Sequence, residues 1–497
     1  MAPSRSSVCT VGGFRRTRGI PAAAAEQARP VASIYIETHG CQMNEADSQY
    51  IADRAASAGY AVADRAEDAN VVILNTCTVR DNAERRAYGR MGHFKSLKTA
   101  HPALRLIVTG CLAEQDRDRM RRIAPHVDAV FGTSELAQLG DAIARWREDF
   151  AENEVSEELA LRMPIGGSAD CVAGAFSPLR GFVTVQRGCS YYCTFCIVPH
   201  VRGRFDHRPA AEVLSEARKR VDEGAREIML VGQTVNAYRD PAHEGAFGAL
   251  CSLVAQIPGL ERLTFISPHP KDFTRSMLRE LSQIPQINPR IHLPLQSASD
   301  PMLRRMNRKY SFSQYMEKAA WIREFFPGAA ITTDFIVGFP GETEQDFQAT
   351  LDCVRSGMFA NAYMYIYSKR RGTPAAHWEQ VEPAVASERH ARLAEAQNAV
   401  ARAFHEGKTG SEVRALVQGV SKKDRSKLAA KTLDNVTVIV SQPPDYDERL
   451  YASEPWLDVR IDSGHKWGCG GTVVRRARRF ADRGSAVKTA LINLLTA

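Results

Sequence analysis

Phe182-Val183-Thr184-Val185-Gln186-Arg187-Gly188-Cys189-Ser190-Tyr191-Tyr192-Cys193-Thr194-Phe195-Cys196 reads as a short β-branched strand that runs straight into three cysteines spaced Cys-x3-Cys-x2-Cys. Five more strand-like runs follow, at Ile228-Val231, Arg262-Ile266, Ile291-Leu295, Ile331-Val337 and Tyr363-Tyr367, with a helical stretch before each. After Pro209 the apolar residues Val213, Leu214, Ala217 and Val221 fall on one helical face. Six consecutive βα units with right-handed crossovers curl into a partial (β/α)6 barrel, and functional side chains belong at the carboxyl ends of its strands. The cysteine loop sits at the first such end. Three thiolates there can hold three irons of a 4Fe-4S cluster and leave the fourth iron without a protein ligand. Zinc is the alternative, but structural zinc takes four closed ligands, and His200 would have to complete the set at an unusual spacing.

Upstream the pattern is a parallel α/β sheet: Ser33-Ile34-Tyr35-Ile36, Val71-Val72-Ile73-Leu74, Leu106-Ile107-Val108 and Ala129-Val130-Phe131 alternate with helical periodicity. Cys41, Cys77 and Cys111 each fall just past one of these strands, in Gly40-Cys41-Gln42-Met43-Asn44, Asn75-Thr76-Cys77-Thr78 and Gly110-Cys111-Leu112. Parallel strands put all three on one carboxyl edge. Isolated core cysteines are the competing reading, though core residues belong inside strands rather than beyond them. Downstream, after a charged helical stretch around 383–406, short alternating runs at Val413-Val417, Val436-Val440, Trp456-Ile461 and Gly471-Val474 predict a small antiparallel OB-like β-barrel. The expected organisation is an extension over 1–30, an α/β domain over 31–147, a linker over 148–172, the barrel over 173–406, the β module over 407–475 and a basic tail over 476–497.

The 497 residues, 44% hydrophobic and 25% charged, suit a soluble globular chain of about three domains, with no apolar run long enough to span a bilayer. Lys and Arg outnumber Asp and Glu 65 to 57, a mild excess that suits a polyanion without requiring one. Eleven cysteines without a secretory leader point to reduced thiols and a cytoplasmic setting. The Arg-rich first thirty residues read as a floppy basic extension, with a mitochondrial transit peptide as the minor alternative. Cys9, Cys171 and Cys469 have no assigned role, and Cys251 and Cys353 fit apolar helix faces.

The Cys-x3-Cys-x2-Cys loop resembles that of the radical S-adenosylmethionine (SAM) superfamily. With Thr38-His39-Gly40-Cys41-Gln42-Met43-Asn44, Asn75-Thr76-Cys77-Thr78-Val79-Arg80 and Cys193-Thr194-Phe195-Cys196-Ile197-Val198-Pro199, residues 31 to 475 resemble the methylthiotransferase family, specifically its MiaB-type tRNA branch. The resemblance implies two 4Fe-4S clusters and SAM. Cys189, Cys193 and Cys196 would hold the radical SAM cluster; Cys41, Cys77 and Cys111 would hold an auxiliary cluster associated with the inserted sulfur. It implies methylthiolation of N6-isopentenyladenosine beside the anticodon, on the tRNA anticodon stem-loop. Threonylcarbamoyladenosine and a ribosomal-protein aspartate are alternative acceptors, and Gln42-Met43-Asn44 favours the first. An electron donor such as flavodoxin or ferredoxin, a sulfur supply system, and a monomer follow from the same likeness. A zinc-binding, non-enzymatic RNA protein is the reading from another class.

The terminal module resembles the TRAM domain, so Lys422, Lys423, Arg425 and Lys427 would touch phosphates; a solvated loop is the alternative. Gln233, Asn236, Gln296, Ser297 and Asp334 match family strings at strand ends and would contact SAM or substrate, whereas His292 reads as mid-strand and core. Phe205, Thr234, Ala298 and Arg371 depart from the family strings, which bears on substrate contacts and not on the cysteines.

Overall fold

Residues 32–79, 81–152, 179–243, 245–421, 423–443 and 455–477 are described by the computed structural model. The basic extension with Cys9, Cys171 within the linker, Lys422 and the tail from residue 478 lie outside the described residues.

In the N-terminal unit β1 (Ser33–Thr38), β2 (Ala61–Val62), β3 (Val71–Thr76), β4 (Arg105–Gly110) and β5 (Ala129–Phe131) form one parallel sheet in the order β2-β1-β3-β4-β5. The β2 edge strand was not legible, because two residues carry no periodicity. Every residue of β3 is buried, as befits a strand covered by helices on both faces. The helix Leu136–Glu152 continues through residues 148–152, where the linker was expected to begin. The reason is apolar: Phe150 packs with Ile143, Leu139 and Ile34, and that burial carries the helix past its acidic residues.

The central unit contains β6 (Arg180–Thr184), a two-stranded hairpin of β7 (Gln186–Arg187) and β8 (Asp206–His207), then β9 (Glu227–Val231), β10 (Arg262–Phe265), β11 (Arg290–His292), β12 (Ala330–Val337) and β13 (Asn361–Ile366). The parallel strands form two three-stranded sheets, β10-β9-β6 and β11-β12-β13. A parallel bridge from Leu263 to Ile287 joins the two into an open barrel. Helix Ala210–Asp222 buries Val213, Ala217 and Val221 as its periodicity predicts, each contributing about 1–3 kcal/mol. These join Phe247, Phe273, Phe335 and Phe359 in the main core.

The C-terminal strands β14 (Glu412–Val420), β15 (Lys427–Thr432), β16 (Thr437–Ser441), β17 (Trp456–His465) and β18 (Gly468–Arg476) close a five-stranded barrel in the order β14-β15-β16-β18-β17. Closure uses one parallel pair, β16 with β18, so the barrel is not wholly antiparallel. Cys469 is buried in its core. This barrel packs against the amino ends of the central strands: Arg180 bonds Gln418, Arg262 bonds Asn435, and the Trp456 indole donates to Glu261. Among the described residues no helix is long and apolar enough to cross a membrane.

Candidate active site

A glycine introduces three of the cysteines, and its backbone explains the turn. Gly40 (φ +128°), Gly110 (φ +97°) and Gly188 (φ +71°) precede Cys41, Cys111 and Cys189, all in the region that disfavours a side chain. A Cβ on Gly40 would lie 2.7 Å from Cys77 Cβ, so the missing side chain lets β1 and β3 present their cysteines together. Cys41 caps helix Gln42–Ser57, and Cys111 opens helix Cys111–Ile123. Both cysteines therefore stand at a helix N-terminus, where backbone N–H groups are left without intrahelical partners.

Since β1, β3 and β4 are neighbours, Cys41, Cys77 and Cys111 share one carboxyl edge, close enough that each acts electrostatically on another of the three. Burial, reinforced by repulsion from Cys41 and Cys111, pushes the Cys77 thiol up to about 12. Burial also raises Cys111, against the pull of the Arg202 cation. One tetrahedral ion needs sulfurs within about 4 Å of each other. Among the described residues no three His, Cys, Asp or Glu side chains are grouped to hold a single ion. Three thiols from three neighbouring strand ends can supply one ligand each to three irons of a cluster and leave the fourth without a protein ligand.

The second trio is clamped by main-chain bonds. Cys189 N donates to Gly203 O at 3.0 Å, Cys196 N to Cys193 O at 2.9 Å and Thr194 N to Met306 O at 3.2 Å. Asn307 Nδ2 donates to the carbonyls of Tyr191 (3.3 Å) and Tyr192 (2.8 Å). Desolvation, then repulsion from Cys193, pushes Cys196 up to about 12. Arg308 Nη1 lies 3.4 Å from Cys193 Sγ and supplies a buried positive charge.

A cavity of about 170 Å³ opens beside this loop, lined by Gln233, Thr234, His269, His292, Gln296, Arg308 and Asp334 together with Ser267, Pro268 and Pro294. Thr234 Oγ1 is 3.4 Å from Cys189 Sγ, so the cavity adjoins the trio. His269 Nδ1 accepts from Lys271 N at 3.2 Å, and burial, then Arg308 and Lys271, hold its ring neutral. The proton therefore sits on Nε2, which is buried and has no partner among the described residues. Gln233 Oε1 is likewise buried and unmatched. An unspent donor and an unspent acceptor beside a cationic arginine fit a cofactor carrying amino and carboxylate groups.

Of the five strand-end candidates, Gln233, Gln296 and Asp334 line the cavity. Asn236 does not: it is fully buried and bonds both N–H and C=O of His269, positioning that histidine. Ser297 is turned away, bonded to Thr350 Oγ1 at 3.3 Å and Ser299 N at 3.2 Å. The left-handed Gln296 (φ +77°) breaks the strand alternation there. His292 is no core residue; it ends β11, faces the cavity and meets Asp334 Oδ2 at 3.2 Å. Cys251 and Cys353 are buried in the barrel core. Sequence reasoning missed His269 and Arg308, which belong to no local pattern, and Arg202, whose partners lie in another unit.

Lys423 and Arg425 are exposed in the β14–β15 turn. Lys427 instead begins β15 and pairs with Asp424 at 3.3 Å, because the turn is shorter than expected. Among the departures, Phe205 packs edge-on against Tyr191, and Arg371 reaches Asp116 of the N-terminal unit.

One cysteine of the first trio reaches the segment that follows the second. Cys111 packs against Ile197 and Val201, just past Cys196. Arg202 Nε, next along the chain, donates to Cys111 Sγ at 3.2 Å.

Family comparisons agree with this architecture. A model described as "Uncharacterized protein family UPF0004" matches residues 33–132, and that of the Radical SAM superfamily matches residues 183–354. The tRNA-2-methylthio-N(6)-dimethylallyladenosine synthase of Parafrankia sp. (strain EAN1pec) is 42% identical over 91% of this chain and 93% of its own. That of Moorella thermoacetica (strain ATCC 39073 / JCM 9320) is 38% identical over 88% and 98%. Among solved structures, the radical SAM methyltransferase TsrM from Kitasatospora setae, with tryptophan and a SAM analogue bound, shares the fold. Its TM-score is 0.51 at 15% identity, over 70% of this chain and 75% of that one. Identity at this level across nearly the whole length places the chain in the tRNA-2-methylthio-N6-dimethylallyladenosine synthase family of radical SAM enzymes.

Proposed function

We infer that this chain is the transferase that converts N6-isopentenyladenosine next to the tRNA anticodon to its 2-methylthio derivative. One observation supports the reading beyond family membership: Cys111 of the N-terminal unit packs against Ile197 and Val201, and Arg202 bonds it, in the segment that follows Cys196 of the other trio. When bound, two 4Fe-4S clusters and SAM supply radical chemistry on an unactivated C–H bond, the sulfur to be inserted and the methyl group.

The residues divide that work. Cys189, Cys193 and Cys196 would hold one cluster; Cys41, Cys77 and Cys111 would hold the other. His269 Nε2–H offers a donor to the cofactor and Gln233 Oε1 an acceptor, while Arg308 offsets the negative charge gathered at Cys193. Tyr191 bonds Asp272 and packs on His269 with ring centroids 4.4 Å apart, which holds the histidine ring in place at this end of the cavity. Lys423 and Arg425 engage tRNA phosphates; their barrel packs at the amino ends of the strands, so this grip lies a barrel height away from the reacting base. A flavodoxin- or ferredoxin-type donor, a sulfur supply system, a monomeric state and a cytoplasmic setting complete the proposal.

The test is mass spectrometry of tRNA nucleosides from cells with and without the gene. Loss of the 2-methylthio form with isopentenyladenosine accumulating is the expected result. An unchanged isopentenyl pair with a missing methylthio-threonylcarbamoyl form would overturn the acceptor.

A further inference from the structure

Arg202 stands out because nothing in the barrel unit's own fold requires it. Its side chain is only 3% exposed, and among the described residues its side-chain hydrogen bonds go to the N-terminal unit. Nε donates to Cys111 Sγ at 3.2 Å, and Nη2 donates to Asn44 Oδ1 at 2.9 Å and to Asp47 Oδ2 at 2.8 Å. Asn44 and Asp47 lie on the helix that Cys41 caps. Asp47, 2% exposed, also accepts from Arg187 Nη1 at 2.8 Å. Two arginines thus share one aspartate, the buried Arg202 and the 28% exposed Arg187, leaving a net positive charge beside the trio. Nη1 of Arg202 is buried without a partner among the described residues, an unspent donor at the same place.

We propose that Arg202 is a positioning residue for the Cys41, Cys77 and Cys111 trio. Delivered from the barrel unit, it bonds a ligand sulfur and raises the reduction potential of the cluster, making that potential depend on the two units being docked. The inference rests on the reading that this trio holds a cluster. Hydrogen bonds to ligand sulfurs and nearby positive charge both favour the reduced, more negative state, and burial keeps water from screening either. Because Arg202 follows helix Val198–Val201 directly after Cys196, a shift of the radical SAM loop moves the charge at the auxiliary site.

The test uses the full chain carrying Cys189→Ala, Cys193→Ala and Cys196→Ala, so that only the auxiliary trio is read. Iron and sulfide are measured first, then the midpoint potential by redox titration followed by electron paramagnetic resonance. Arg202→Gln should shift the midpoint to more negative values at unchanged iron content, with Arg202→Lys recovering most of the shift. Asp47→Asn, which removes the opposing charge, should shift it the other way. Should Arg202→Gln fail to hold iron, the Asp47→Asn midpoint decides. Native midpoints in every variant that holds the cluster overturn the role of Arg202. A parent chain that binds neither iron nor sulfide removes the cluster reading itself, and this inference with it.

Discussion

Gly188 and Gly203 offer a matched pair of substitutions in the radical SAM loop. Both have positive φ, +71° and +73°, so alanine at either costs about 1–2 kcal/mol in backbone strain. They differ in space. A methyl on Gly188 would lie 1.9 Å from the Arg204 carbonyl oxygen, whereas nothing stands within 4 Å of one on Gly203. Backbone cannot rotate away as a side chain can, so Gly188→Ala carries a further cost of about 1–3 kcal/mol from overpacking. That difference is roughly a 5- to 150-fold smaller share of molecules with the loop correctly formed. With Cys41, Cys77 and Cys111 replaced by Ala, iron and sulfide per reconstituted chain report on this loop alone. Gly203→Ala should load close to the parent, and Gly188→Ala should lose most of its iron together with SAM cleavage. Equal loading of the two variants would refute the steric argument.

Replacing Cys41, Cys77 and Cys111 by Ala should leave SAM cleavage intact and abolish thiolation, checked by assaying 5'-deoxyadenosine and the methylthio nucleoside in one reaction. Burial, and then Arg290, Arg180 and Arg262, pull Lys431 down to about 8 from 10.5. The unfolded chain therefore binds more protons between those values, and stability rises with pH across that window. Lys431→Met should then stabilise the C-terminal barrel below pH 8, by up to about 3 kcal/mol less about 1 for the lost bond to Thr437. Thermal unfolding of the full chain should show that advantage fading above pH 8 and gone beyond 10.5; an advantage independent of pH would contradict the charge argument. Lys423→Ala with Arg425→Ala should weaken tRNA binding and flatten its logarithmic salt dependence by about 1.5, while Lys427→Ala, whose charge is engaged by Asp424, should leave the slope unchanged.

The six barrel strands and the cysteines at strand ends were legible because each depends on short-range pattern: β-branched runs, helical period and ligand spacing within nine residues of one loop. What escaped was local weakness or distant partnership. The β2 edge strand and β15 are short or charged, and sheet neighbours stabilise them where propensity does not. The β15 miss put Lys427 in a loop. Asn236 and Ser297 looked like contacts because they lie at strand ends, but a strand end offers two faces, and only tertiary packing selects which one meets the cavity.

The sequence by itself determined which atoms can serve as ligands: two sets of three thiols, three of those six cysteines preceded by a glycine that permits the turn. The tertiary structure alone decided that Cys111 of one set packs against the segment following the other. Ile197, Val201 and Arg202 from one unit close on Cys111 of another, and Arg370 reaches the Val79 carbonyl at 2.8 Å across the same boundary. Spacing along the chain can encode a loop, because its residues are covalently near. Convergence of distant segments depends on burying apolar surface and pairing charges across an interface, and no single segment contains that information.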